Sequence, residues 1–327
     1  MKTLIITKKQ IAKVLTPSVA NSTVEGAFRA YGMGQVDMPA KSYIDFSGGD
    51  MRSMPAYIHG QGFNAAGIKC VSVCPENVTR YGLPTVTALV VLTDPETGFP
   101  IAVMDGTYLT CMRTGAAGAT AVGLLSRKGS TSAGFVGCGE QARAQLACTT
   151  EIRTLKTIKI WTAPDEALAR TFARWARRTY TLETILSDSI DDVTTDVDIL
   201  ITTTPSRTPL VNVVSPGTHI NAIGADAPGK QEINPKIIKD ATVVIDNWAQ
   251  ASHSGEINVP LREGIISEKD ISGELGDIAV KKKRGRTSEK EITIFDSTGL
   301  AIQDISCASV VYNELKETKG VRSITLF

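Results

Sequence analysis

The stretch Ser132-Ala133-Gly134-Phe135-Val136-Gly137-Cys138-Gly139-Glu140-Gln141-Ala142 constrains the fold of this chain more tightly than any other. It reads as a short apolar strand, a G-x-G-x-x-A turn and the opening of a helix. Gly137 permits the tight turn, Gly139 lets a pyrophosphate come close to the backbone, and the small Ala142 lets the helix lie against the strand. The start of that helix offers unsatisfied amides and the positive end of its dipole to a phosphate. Strand, glycine turn and helix in this order predict a dinucleotide site at the edge of a parallel sheet.

The surroundings agree. A long Ala/Gly/Thr-rich helix runs from about Leu109 to near Gly129, after which apolar strands and amphipathic helices alternate over 133–136, 141–152, 157–161, 165–178, 197–203, 219–223, 242–246 and 292–295. Such alternation predicts an α/β domain, a doubly wound Rossmann sheet covered on both faces, over 119–299. Before it the texture is different. An N-terminal helical stretch precedes strands at 41–45, 53–59, 64–74, 85–92 and 99–104, separated by glycine- and proline-rich turns. These predict a separate mixed α+β domain over 1–118, completed by a C-terminal segment, 300–327, whose helix returns to it. A chain of 327 residues has the length for two such cores.

Composition narrows the function. With 35 Lys+Arg against 34 Asp+Glu the formal charge is +1, which supplies no field to hold a polyanion and argues against a nucleic-acid partner. The basic run Lys281-Lys282-Lys283-Arg284-Gly285-Arg286 reads as a solvated loop. No stretch is apolar and long enough to cross a bilayer, and the N-terminus lacks a signal-peptide core, so no membrane partner and a cytoplasmic location are expected. Six scattered cysteines and three distant histidines predict no metal site.

Several charged residues stand where a purely structural reading does not want them. Lys69 lies among the apolar residues of strand 64–74; it either faces solvent on an edge strand or is a desolvated lysine with a lowered pKa. Arg113 is read at the opening of a helix, where the dipole disfavours a cation unless an anion is close, whether a ligand carboxylate or an Asp or Glu from elsewhere in the fold. Asp226 follows the strand 219–223 at the sheet edge where ligands bind, and fits either a turn or a general acid/base. Lys41 and Arg52 add cations to the N-terminal half, as a small carboxylate substrate would require. At the end of the second Rossmann strand, where NAD-binding chains carry an acid, stands Thr162; Asp165 reads as a helix N-cap. That leaves NAD(H) and NADP(H) both open.

The ordered motifs Arg52-Ser53-Met54-Pro55-Ala56, Gly67-Ile68-Lys69, Gly82-Leu83-Pro84-Thr85-Val86, Asp94-Pro95-Glu96-Thr97-Gly98-Phe99-Pro100, Met112-Arg113-Thr114-Gly115-Ala116-Ala117, Gly137 to Ala142, Thr202-Thr203-Thr204-Pro205-Ser206, Asn221 to Asp226 and Asp296 to Asp304 resemble the ornithine cyclodeaminase and mu-crystallin superfamily, most closely its archaeal alanine dehydrogenase branch. The resemblance covers nearly the whole chain. It implies a homodimer built on the N-terminal mixed domain, with the active site in the cleft between domains. It carries Lys69 and Asp226 over as catalytic, and Lys41, Arg52, Met54 and Arg113 as substrate-binding, Arg113 holding the substrate carboxylate. It further implies NAD(H) or NADP(H) on Thr85, Thr114, Gly137, Cys138, Gly139, Glu140, Gln141, Thr162, Thr203, Thr204, Ile223, Gly224, Ala225, Lys230, Ser297, Thr298 and Gly299. The implied chemistry is hydride exchange at the α-carbon of an amino acid or its imine. The leading expectation is oxidative deamination of L-alanine to pyruvate and ammonia, with its reverse. The alternatives are a cyclic ketimine (pyrroline-2-carboxylate) reductase, an ornithine cyclodeaminase and, outside enzymes, a nucleotide-binding crystallin-like protein. The ornithine-using branch carries glutamate where Arg52 stands, and Arg52 would repel a second substrate ammonium.

Overall fold

The computed structural model describes residues 2–161 and 165–326. They fall into two compact units, Met1–Arg113 with Leu300–Phe327, and Thr114–Gly299; the division lies inside the helix Gly106–Leu125.

The first unit is built on a mixed sheet whose strands lie in the order Arg322–Ile324, Thr3–Ile6, Pro100–Asp105, Val86–Thr93, Phe63–Val73, Gly49–Gly60 and Val36–Asp37, with Ser42–Phe46 also paired to Gly49–Gly60. The chain therefore opens on a strand, not a helix: the apolar run Thr3–Ile6 pairs in parallel with Pro100–Asp105, and the helices Lys8–Val14 and Pro17–Gly32 follow it. Burial alternates along the strands. In Val86–Thr93, Ala88, Val90 and Leu92 are buried, whereas Thr87 and Leu89 are exposed. The inner face is covered by Pro17–Gly32 and Ala301–Leu315. Gly67 lets the latter helix come close: a Cβ there would stand 2.4 Å from the Val91 carbonyl oxygen and 3.0 Å from Ile305 Cδ1.

The second unit is an all-parallel sheet in the order Glu183–Leu186, Thr157–Trp161, Ser132–Val136, Ile199–Thr202, His219–Ala222, Thr293–Asp296, Thr242–Ile245 and Ile271–Glu274. This is the doubly wound Rossmann arrangement that the alternation predicts. Neighbouring residues in a strand feed opposite faces: Phe135, Ile199 and Ile201 pack with Leu146 and Phe172, while Val136 and Leu200 pack with Ile220 and Val243. The sequence reading passes over Glu183–Leu186 and Ile271–Glu274, four-residue edge strands without a continuous apolar run. Asp165 caps the helix Glu166–Tyr180, accepting from Leu168 N.

One surface expectation needs correction. Lys281, Lys282, Lys283 and Arg284 are exposed, but Arg286 is half-buried and tied down. Its Nε donates to the Leu125 carbonyl at 2.6 Å, at the end of the helix Gly106–Leu125, and its Nη2 donates to Thr293 Oγ1 at 3.0 Å. It caps that helix with a cation.

His219 is fully buried in the second unit, its Nδ1 2.9 Å from Thr293 Oγ1. Because the Asn221 amide nitrogen donates to the Gly118 carbonyl, the Asn221 oxygen is left to accept from His219 Nε2 at 3.0 Å. Burial holds the imidazole neutral, with its pKa pushed down to about 3. The unfolded chain takes up the proton below about 6.5, so stability present above that pH is lost as pH falls towards 3. Urea unfolding at pH 7 and pH 5 should therefore show about 2 kcal/mol of acid sensitivity assignable to this residue. Most of that difference should be absent in His219→Gln.

Candidate active site

In the first unit the strand register assembles a charged cluster. Lys69 lies opposite Met54 on one side and Val90 on the other, on the inner face of an interior strand, 1% exposed. The edge-strand alternative is thereby excluded. Its Nζ stands 2.8 Å from Asp304 Oδ2, and Asp304 is itself completely buried. Arg113 lies about two turns inside the helix, not at its opening, because Asp105 accepts from Tyr108 N and starts the helix at Gly106. The anion it needs comes from within the fold. Its Nε donates to Asp304 Oδ1 at 2.9 Å and its Nη1 to Gln303 Oε1 at 2.9 Å. One carboxylate thus bridges two cations.

The other predicted pocket residues lie in the same unit. Arg52, 5% exposed, grips Asp50 through Nε at 2.6 Å and Nη2 at 3.3 Å, and its guanidinium lies 5.4 Å from the Tyr43 ring centroid. Lys41 Nζ is 6.0 Å from the same centroid. Because Asp50 offsets the charge of Arg52, its repulsion of a second substrate ammonium is weaker than the sequence alone suggests. Burial, and then the Arg113 charge, lower the Lys69 ammonium pKa against the opposing pull of Asp304, to about 7. Thr85 stands apart from this cluster, its carbonyl accepting from Cys74 N.

In the second unit the predicted nucleotide residues gather at the carboxyl ends of the strands, the edge at which open α/β sheets bind ligands. Gly137 turns the chain with φ +99°, and a Cβ there would lie 2.9 Å from Thr203 Oγ1. A Cβ on Gly139 would meet no atom within 4 Å, so the backbone before the helix Glu140–Thr150 is open to a phosphate. Cys138 and Ala142 are buried in the core against the sheet. Thr203 and Thr204 follow Ile199–Thr202, Ile223 to Asp226 follow His219–Ala222, and Ser297 to Gly299 follow Thr293–Asp296. Asp226 accepts from Lys230 Nζ at 2.6 Å. Thr114 lies in the helix Gly106–Leu125, its carbonyl accepting from Gln145 Nε2. Thr162 lies outside the described residues.

Buried acids that the sequence reading does not single out hold these loops. Glu232 accepts from Thr202 Oγ1, Thr204 N and Oγ1, and Gly224 N, all between 2.7 and 2.9 Å. Burial raises its pKa and the four donors oppose the shift. Asp246 accepts from Thr298 N and Oγ1 and from Gly299 N. Among the described residues no group of His, Cys, Asp or Glu is placed to hold a metal ion, and no helix is long and apolar enough to cross a membrane.

Comparison with known proteins matches residues 1–319 to the model of the ornithine cyclodeaminase/mu-crystallin family. The chain belongs to that family. An alanine dehydrogenase of Archaeoglobus fulgidus is 45% identical over 325 residues, covering 98% of each chain. Among solved structures, an archaeal alanine dehydrogenase dimer with bound NAD superposes with a TM-score of 0.95 at 43% identity, covering both chains fully. A Thermococcus litoralis Δ1-pyrroline-2-carboxylate reductase, in complex with NADH and L-proline, follows at 0.93 and 34% identity, over 99% of this family member and 100% of the reductase.

Proposed function

We propose that this family member is a nicotinamide-dependent oxidoreductase of small 2-amino acids, interconverting L-alanine with pyruvate and ammonia. The observation that carries the reading is the buried cluster in which Lys69 and Arg113 share one carboxylate. With Lys69 protonated, two cations with one counter-ion can accept one more anion, and the α-carboxylate of an amino or 2-oxo acid is that anion; a lysine pKa of about 7 leaves the same amine able to give up its proton and act as a base.

The residues present fit the cofactor: the Gly137 turn, the open backbone at Gly139 and the helix start at Glu140 suit a pyrophosphate. The loops at Thr203–Thr204, Ile223–Ala225 and Ser297–Gly299 suit the second mononucleotide. The relatives with NAD and NADH support NAD(H) as the form used. The chemistry a bound nicotinamide would supply is hydride exchange with the α-carbon of the amino acid or imine. Arg113 holds the substrate carboxylate. Neutral Lys69 takes a proton at Nζ from the water that adds to the imine and releases it to solvent, and Asp226, braced by Lys230, takes the hydroxyl proton of the adduct and passes it to the amine, which leaves as ammonia.

Relatedness to the Thermococcus enzyme favours one second reading, reduction of a cyclic imine by the same residues. Reduced-nicotinamide absorbance separates the two. Oxidation of NADH with pyruvate plus ammonium is the expected result. Oxidation only with pyrroline-2-carboxylate would move the protein to the reductases, and silence with both would overturn the reading.

A homodimer belongs to the same proposal. On the outer face of the first sheet, Leu89 is 55% exposed and registers with Cys70, while Val91 registers with Ile68 and Val103; Ile44 and Phe46 are exposed on Ser42–Phe46, which pairs with Gly49–Gly60. Exposed apolar side chains on a sheet face suit a second copy of the chain. The related alanine dehydrogenase is a dimer. Light scattering after size exclusion should give about twice the chain mass of 34.9 kDa, and Leu89→Arg should shift the protein towards that single-chain mass.

A further inference from the structure

Among the described residues Asp304 pairs with both Lys69 and Arg113, yet neither the motif reading nor any relative's described activity gives it a role. It sits in the first turn of Ala301–Leu315, fully buried, with Oδ2 2.8 Å from Lys69 Nζ and Oδ1 2.9 Å from Arg113 Nε. The helix reaches that depth because Gly67, two residues before Lys69 on the same strand, carries no side chain to hold it off. Gln303, the neighbouring residue, orients the other side of the guanidinium through Nη1.

We propose that Asp304 is a positioning residue that fixes Lys69 and Arg113 in place and, as a built-in competitor, limits the positive charge they present to a substrate carboxylate. The proposal rests on the functional reading above for the identity of that substrate, but the arrangement of charges stands without it. A carboxylate that bridges two cations holds both side chains in single positions, as a reaction at a defined α-carbon requires. It also cancels one of their two charges, so the anion that binds there is held less tightly and leaves more readily.

The groups facing Lys69 make the direction of the effect plain. Asp304 approaches from Ala301–Leu315, Arg113 from Gly106–Leu125, and the Lys41 charge also acts on it; the neighbouring strands contribute apolar Met54 and Val90. Asp304 alone among these favours the protonated lysine. The Cys307 thiol, one helical turn on, is pushed up by burial and then by Asp304 itself, so it stays neutral.

The test compares the full-length protein with Asp304→Asn. Protein labelled with 13C at the lysine ε-carbon is titrated, the Lys69 signal being assigned by its absence in Lys69→Arg. In parallel, calorimetry measures binding of oxamate, a small carboxylate that does not react. In Asp304→Asn the Lys69 midpoint should fall from about 7 by roughly one pH unit or more. At pH 5, where Lys69 is largely protonated with or without the Asp304 charge, oxamate should bind about tenfold more tightly, since one neutralising charge has been removed at close range. A midpoint that stays or rises, or oxamate binding that weakens in a folded variant, overturns the proposal. Should Asp304→Asn fail to fold, Asp304→Glu serves. It keeps the charge but displaces it, so kcat should fall about tenfold with little change in KM, and an unchanged kcat would refute the positioning role. The titration needs no turnover: a shifted midpoint in a protein silent with every substrate would sink the enzymatic reading and leave this one standing.

Discussion

Replacing Lys69 by methionine is expected to lower kcat by about 10²- to 10⁴-fold, the range associated with loss of a positioned acid/base group. Methionine matches the length of the lysine stem, and Arg113 still pairs with the Asp304 carboxylate, so the buried acid is not left without a cation. The distinguishing observation is the pH profile. In the wild-type protein the oxidative rate should rise as pH passes about 7, because burial and the Arg113 charge depress the Lys69 pKa to that value and only the neutral amine can take a proton. The variant should lose that limb along with the rate. Initial rates from pH 5.5 to 10, with circular dichroism confirming the fold, check both. A variant that keeps the wild-type limb would assign the titration to another group and remove Lys69 from the chemistry.

The second large effect is expected at Arg113. Arg113→Lys keeps the charge but loses the planar fork, whose Nε and Nη1 are oriented by Asp304 and Gln303. Charge-assisted hydrogen bonds contribute about 1.5–3 kcal/mol each, so loss of one such bond to the substrate should raise KM for pyruvate or alanine roughly 10- to 100-fold. Affinity for NADH, measured by fluorescence titration, should change little, because the loops that suit the dinucleotide lie in the second unit. Equal losses in both affinities would mean that Arg113 serves the fold and not the carboxylate.

The doubly wound half is legible in the sequence because its signals are local: Gly137 and Gly139 lie between strand and helix within a dozen residues, and Asp165 announces its own helix. The charged site is legible only in outline. A lysine among apolar neighbours marks Lys69 as unusual, but whether its strand is interior or at an edge depends on which strands flank it, and that is settled by pairing across the sheet. Arg113 is misplaced at a helix opening because Asp105-Gly106-Thr107, the true start, reads equally well as the end of the preceding strand. Asp304 has a signal, an acid in the first turn of an otherwise apolar helix, but its partners Arg113 and Lys69 are too distant in the chain for any pattern of spacing to join them. The acids Glu232 and Asp246 fall into the same class: each serves loop amides that only the folded sheet brings together.

The first unit takes residues from both ends of the chain, with Thr114–Gly299 inserted between them. During synthesis this imposes a waiting period. Arg113 leaves the ribosome 191 residues before Asp304, so at about 5–20 residues per second the two buried cations wait roughly 10–40 s for their counter-ion. Until then the N-terminal sheet cannot close its charged interior without stranding Lys69 and Arg113 together. The inserted unit, whose Thr114–Gly299 segment is complete first, is free to fold in that interval. A ribosome stalled before Asp304 should therefore display a protease-resistant second unit beside an N-terminal segment that is still cleaved.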